Sequence, residues 1–140
     1  CQLGTRLEVN SMYKTGILNS DISTVLSQLG HTDCIMIADC GLPIPEGVKR
    51  IDLALKFGEP SFMDVYTEIS KHMAIASATV AKEMQYHNNL LFENLKEDFS
   101  DFKTVSHDEL KRRSQNVKAI IRTGEATPYA NIILQSDVLF

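Results

Sequence analysis

The run Cys34-Ile-Met-Ile-Ala38 is apolar throughout and stops at Asp39-Cys-Gly-Leu-Pro-Ile-Pro45, a loop stiffened by two prolines. A short, unbroken apolar segment of this kind is the pattern of a buried strand in a parallel sheet. Open α/β sheets place their ligands just beyond the carboxyl ends of such strands. Asp39, a carboxylate leaving that end, is therefore the first candidate functional residue.

The segments around it alternate between helical and extended patterns. From Ser20 to Leu29, Ile22, Val25, Leu26 and Leu29 form one apolar stripe at helical spacing. Ser20 is the expected cap of this helix, and Gly30 is expected to end it in the left-handed conformation. A second strand is expected from Arg50 to Leu55, followed by a Gly58-Glu-Pro60 loop and a helix start at Ser61, with Asp64 near the capping-box position. Residues 74–81 are rich in Ala and branched side chains, and both strand and helix remain open there. A helix is expected from Asn88 to Phe99 and a short strand from Phe102 to Val105. Ser106-His-Asp-Glu109 reads as a capping box opening another helix, and Val117–Ile121 and Ala130–Leu134 as further strands. The alternation predicts an α/β layered fold in a single domain.

Length and charge exclude several function classes. The chain has 140 residues, 44% of them hydrophobic, enough for one core, and no apolar run approaches a membrane span. With 14 basic against 18 acidic side chains the net charge is −4, which leaves no basic field for nucleic acid. The three cysteines, Cys1, Cys34 and Cys40, are odd in number and lack zinc-ligand spacing, so they are expected as reduced, partly buried thiols of a cytoplasmic protein. Residues 1–11 have no signal-peptide core and precede Met12; they are read as a leader or scar outside a domain of residues 12–140. Phosphate-loop, dinucleotide, serine-hydrolase and zinc-protease motifs are all missing from the sequence.

What remains is a set of polar side chains near predicted strand ends. If His31 and Asp39 meet, the carboxylate can fix the imidazole tautomer for acid–base work; otherwise they are a surface histidine and a capping aspartate. His107 and Lys111 share a helix face, able to offer two donors to a polyol or simply to meet solvent. Tyr129 and Asn131, two residues apart after Pro128, point to the same face if the chain is extended, and their neutral groups suit sugar hydroxyls. The competing reading is a turn in which Asn131 bonds its own backbone. His72 and His87 are read as surface residues, and no metal motif joins the histidines.

Five segments in order resemble the D-ribose pyranase family, which is related to fucose mutarotase. They are Ile17-Leu-Asn-Ser-Asp-Ile-Ser23, Leu29-Gly-His-Thr-Asp33, Asp39-Cys-Gly-Leu-Pro-Ile-Pro45, Pro60-Ser-Phe-Met63 and Ile121-Arg-Thr-Gly-Glu-Ala-Thr-Pro-Tyr-Ala-Asn-Ile-Ile-Leu134. The resemblance spans residues 12–140, with Cys40 standing where the family pattern leads one to expect Ala. It implies a three-layer α/β/α sandwich, a ring-shaped homodecamer, and cofactor-free interconversion of the pyranose and furanose forms of D-ribose. It also implies His31 as general acid, with Asp39, His107, Tyr129, the Ala130 backbone and Asn131 binding sugar and Lys111 as a second-tier contact.

The chemistry suits these groups, because opening a hemiacetal ring requires only that protons be moved between oxygens. The other classes open at this point are a non-catalytic ribose-binding accessory of a transport system, a mutarotase acting on fucose, and a small flavodoxin-like binding domain. The last lacks its phosphate loop. His107 and Lys111, far along the chain from His31, are expected to complete a neighbouring subunit's pocket.

Overall fold

The computed structural model describes residues 13–140; the reading of residues 1–11 as a leader falls outside that range. Helix α1 (Ser20–Gln28) precedes strand β1 (Cys34–Ala38) and β2 (Lys49–Asp52). Helix α2 (Phe62–His72) leads to β3 (Ile75–Ala81), and α3 (Glu83–His87) and α4 (Asn89–Lys96) to β4 (Phe102–Val105). Helix α5 (His107–Arg113) and a 3-10 turn then lead to β5 (Ala119–Arg122) and β6 (Ile132–Ser136). No described helix is long and apolar enough to cross a membrane.

The six strands form one sheet in the order β2-β5-β1-β6-β3-β4. The pairs β1–β5, β2–β5 and β3–β4 are parallel, while β6 runs antiparallel to both β1 and β3. The sheet is thus mixed, not purely parallel as the run in β1 suggested. Burial on both faces, not strand direction, is what makes that run apolar.

Alternation along each strand divides the core into two layers. Ile35 and Ile37 of β1, Ala119 and Ile121 of β5 and Ile132 and Leu134 of β6 face α1, α2 and α4. From those helices come Ile22 and Val25, then Phe62, Val65, Tyr66 and Ile69, then Leu91, Phe92 and Leu95. Met36, Ala38, Ile120 and Ile133 face the other way, against Leu110 of α5 and Leu42 of the proline loop. The result is the three-layer α/β/α sandwich, a single unit.

Several local expectations shift. Asn19, not Ser20, caps α1, its side chain accepting from the Ile22 N–H at 2.9 Å. The helix stops at an extended Leu29, and the left-handed residue in the following turn is Thr32 (φ 73°), not Gly30. Strand β2 ends at Asp52 because Leu55 already bonds Glu59 across a tight turn. Within 74–81 the stretch Ile75–Ala81 is strand, and the expected 88–99 helix is shortened to α4 with α3 before it. Ser61 and Ser106 cap as expected, each accepting at 3.1 Å from the N–H three residues on.

Gly124 sits where that tight turn, residues 56–59, is pressed onto the loop between β5 and β6. The Gly58 N–H donates to the Gly124 carbonyl, and the Gly124 N–H donates to the Pro60 carbonyl at 2.8 Å. A β-carbon at position 124 would overlap the carbonyl oxygens of Lys56 and Glu59, which are backbone and cannot swing aside. Gly124→Ala is expected to cost about 2 kcal/mol, in the range of overpacking, measured as a lowered midpoint in urea.

Candidate active site

Five of the six strands point the same way, and their carboxyl ends gather Asp39, the start of α5 and the loop of residues 123–131. Between these lies an open cleft of about 590 Å³, whose walls carry Asp39, Cys40, Leu42, Pro43, Phe57, His107, Lys111, Glu125, Thr127 and Tyr129.

The end of β1 is tied to the floor of this cleft by side chains from the 123–131 loop. Thr123 donates to the Ala38 carbonyl twice, from its N–H at 2.9 Å and its hydroxyl at 2.8 Å. Asn131 is fully buried; its Oδ1 accepts from the Asp39 N–H at 2.9 Å and its Nδ2 lies 3.4 Å from Asp39 Oδ2. The Gly41 N–H donates to Asp39 Oδ1 at 3.0 Å. Burial pushes the Asp39 carboxyl above its ordinary range, outweighing these hydrogen bonds and nearby His107, which pull the other way.

Tyr129 adopts a left-handed conformation (φ 56°), so residues 129–131 are not extended. Tyr129 faces the cleft while Asn131 lies beneath it, and the Asn131 N–H bonds back to the Tyr129 carbonyl at 2.9 Å. The segment is thus neither an extended pair sharing one face nor a turn closed by the Asn131 side chain on its own backbone: the backbone N–H closes the turn and the side-chain amide spans to Asp39. Ala130 is buried between them and offers the cleft no side chain.

The His107 ring meets the Tyr129 ring edge-on at 5.0 Å, and exposed His87 lies 5.5 Å from it on another side. The backbone N–H of His107 is held by Glu83 at 3.0 Å, whereas its Nδ1 is buried without a partner. Lys111, one turn along α5, is exposed at the rim, its Nζ 4.0 Å from Asp108. His107 and Lys111 therefore line the same cleft as Asp39 and Tyr129 of their own chain, because α5 starts at the same sheet edge where β1 ends.

His31 is the residue the fold does not bring in. It precedes β1, and its Nδ1 lies 3.7 Å from Asp137, beyond the end of antiparallel β6. The five residues of β1 separate it from Asp39 by roughly 17 Å. The two cannot pair within one chain.

Sequence reasoning passed over Glu125 and Phe57. Glu125 accepts from the Phe62 N–H at 2.9 Å through Oε1 and from the Thr127 hydroxyl at 2.7 Å through Oε2. It lies inside the segment already marked as unusual, but nothing local shows that its partner is 63 residues away. Phe57 stands 84% exposed at the tip of the tight turn, and no periodicity announces such a residue.

This arrangement can be set beside known proteins. The model of the RbsD / FucU transport protein family matches residues 12–139. The chain belongs to this family. A D-ribose pyranase of Staphylococcus saprophyticus is 67% identical over 92% of this chain and all of its own length. One from an Exiguobacterium strain is 48% identical over the same shares. Bacillus subtilis RbsD, solved in complex with D-ribose, superposes with a TM-score of 0.88 at 47% identity, covering 92% of this chain and 100% of its own. The Streptococcus pneumoniae fucose mutarotase, solved with L-fucose, shares the fold with a TM-score of 0.70 at 22% identity, over 88% of this chain and 95% of its own.

Asn131→Ala leaves the Asp39 N–H unpaired at the cleft floor. The expected loss of stability is about 1–3 kcal/mol, measured by urea unfolding, with a matching loss of order at residues 39–41 in amide exchange.

Proposed function

We infer that this protein interconverts the pyranose and furanose forms of D-ribose, an isomerisation by ring opening and reclosure. The observation that carries this is the 67% identity to a D-ribose pyranase across that relative's whole length. The cleft adds physical support: it presents a carboxylate, an imidazole, an ammonium and a phenol at a strand-end crevice, the mixture that hydrogen-bonds a polyol. Ribose-ring exchange followed by NMR is the direct test, and the protein is expected to accelerate it over buffer alone.

His31 is assigned as the acid that protonates the ring oxygen. Asp39, His107 and Tyr129 bind sugar, with the Ala130 backbone and Asn131 shaping that site and Lys111 at its rim. Since His31 lies far from its own chain's cleft, this assignment requires a second copy to bring its turn to the open side. A ring-shaped homodecamer supplies such a neighbour. Exposed Leu55 and Phe57 beside the cleft support the same reading, because a bare apolar rim is stabilised by burial against another surface. A cytoplasmic location is supported by Cys34 and Cys40, both free thiols. Residues 1–11 lie outside the stretch matched by the family model, which supports placing them outside the catalytic domain.

His31→Ala is expected to abolish exchange while calorimetry shows ribose affinity within about tenfold of the parent, since removing an acid costs rate rather than binding. Light scattering is expected to give the mass of ten chains, and dilution that dissociates the assembly is expected to remove activity before circular dichroism shows unfolding. A fully active monomer contradicts the shared site.

A further inference from the structure

Ring opening needs a base as well as an acid: one group takes the proton of the anomeric hydroxyl while another protonates the ring oxygen. We propose that Asp39 is that base, acting through Oδ2. The assignment rests on the ribose-exchange reading above and supplies the half of the proton traffic that His31 leaves undone.

The cleft narrows the choice by hydrogen-bonding capacity. Glu125 is its other carboxylate, and both its oxygens are already engaged, by the Phe62 N–H and the Thr127 hydroxyl. Moving a proton onto either oxygen would break the attachment that holds α2's first turn to the site loop. Lys111 is an ammonium, with donors only. His107 is constrained by its buried, unpartnered Nδ1. Its buried Nδ1 is out of the sugar's reach, so Nε2 is the nitrogen that can meet the sugar, and a proton there makes it a donor.

Asp39 differs from all of these. Its Oδ1 is committed to the Gly41 N–H at 3.0 Å, and the Leu42 N–H also supports the carboxylate. Oδ2, however, meets the Asn131 amide only loosely, at 3.4 Å, against the 2.9 and 2.7 Å bonds on the Glu125 oxygens. One lone-pair-rich oxygen therefore remains available in the cleft wall, on a carboxyl whose backbone N–H is pinned to the buried Asn131. The burial that raises its proton affinity also brings it closer to what a base working near neutral pH requires.

The proton balance closes on these two groups. In opening, Oδ2 takes the O1 proton, the C1–O1 bond becomes a carbonyl, and the C1–O5 electron pair leaves with O5, which takes a proton from the His31 imidazolium. The open aldehyde then turns. In closing, O4 attacks C1 and gives its proton to the now neutral His31, while O1 recovers its proton from Asp39. Both groups end as they began, so no external co-reactant is needed.

Asp39→Asn tests this, because the amide keeps the shape and the contact from Gly41 but is a far weaker proton acceptor. Saturation-transfer NMR is expected to show kcat lowered about 10²–10⁴-fold, while calorimetry gives a ribose Kd within about threefold of the parent. Asp39→Ala is expected to regain part of its rate as formate is added, with no such response in Asp39→Asn. Exchange by Asp39→Asn within tenfold of the parent overturns the assignment. So does a loss confined to KM and Kd with kcat unchanged, which would make Asp39 a binding group only. If Asp39→Asn is too unstable to assay, formate dependence of Asp39→Ala decides alone, its absence counting against the proposal. A parent protein that fails to accelerate exchange is a different result: it removes the ribose reading itself.

Discussion

Two hydrogen bonds on one oxygen hold the site together: the Ala38 carbonyl accepts both the backbone N–H and the hydroxyl of Thr123. They fasten the end of β1 to the first residue of the loop that carries Glu125, Tyr129 and Asn131. From there the ties spread outward. The Cys40 N–H reaches the Glu125 carbonyl at 2.9 Å, Arg122 donates to the Cys40 carbonyl at 3.1 Å, and its guanidinium grips both oxygens of Asp52 at the end of β2. Where these bonds are shielded, as on the Ala38 and Cys40 carbonyls, a lost partner leaves an unpaired group whose cost exceeds the bond's own net contribution. This side of the cleft is thus built from three adjacent strand ends, those of β2, β5 and β1.

Much of the fold could be read from local pattern. Cys34–Ala38 announced a strand buried on both faces, and the Ser-x-x-Glu spacing at Ser106 placed His107 at the first position of a helix. Direction was not legible: Ile132–Leu134 and Ile35–Ile37 are the same kind of apolar run, yet they lie antiparallel. Nor does a sequence show where a strand delivers its two ends. His31 and Asp39, close in number, are separated by the strand between them, whereas His107 and Asp39, far apart in number, share a cleft.

The Tyr129 and Asn131 pair shows a subtler limit. Counting by twos assumes extended backbone, and one residue at φ 56° breaks it. The fold places both residues at the cleft, but at different depths. The phenol faces outward, and the amide works underneath, fixing the position of a carboxylate 92 residues earlier. Long-range ties of this kind carry no local signal, since both partners satisfy ordinary turn and strand statistics on their own.

The placement of β6 has a consequence for how the molecule comes into being. It is the last strand in sequence, yet it lies in the middle of the sheet, joining β1 on one side and β3 on the other. Until residues 132–136 are made, β2-β5-β1 and β3-β4 are two half-sheets with open edges facing each other. Such edges are templates for mispairing with other chains, and closing long loops to join them slows folding. Pairing of β6 is therefore what joins the two halves of the sheet, and a chain lacking residues 132–136 would leave the inner edges of β1 and β3 bare.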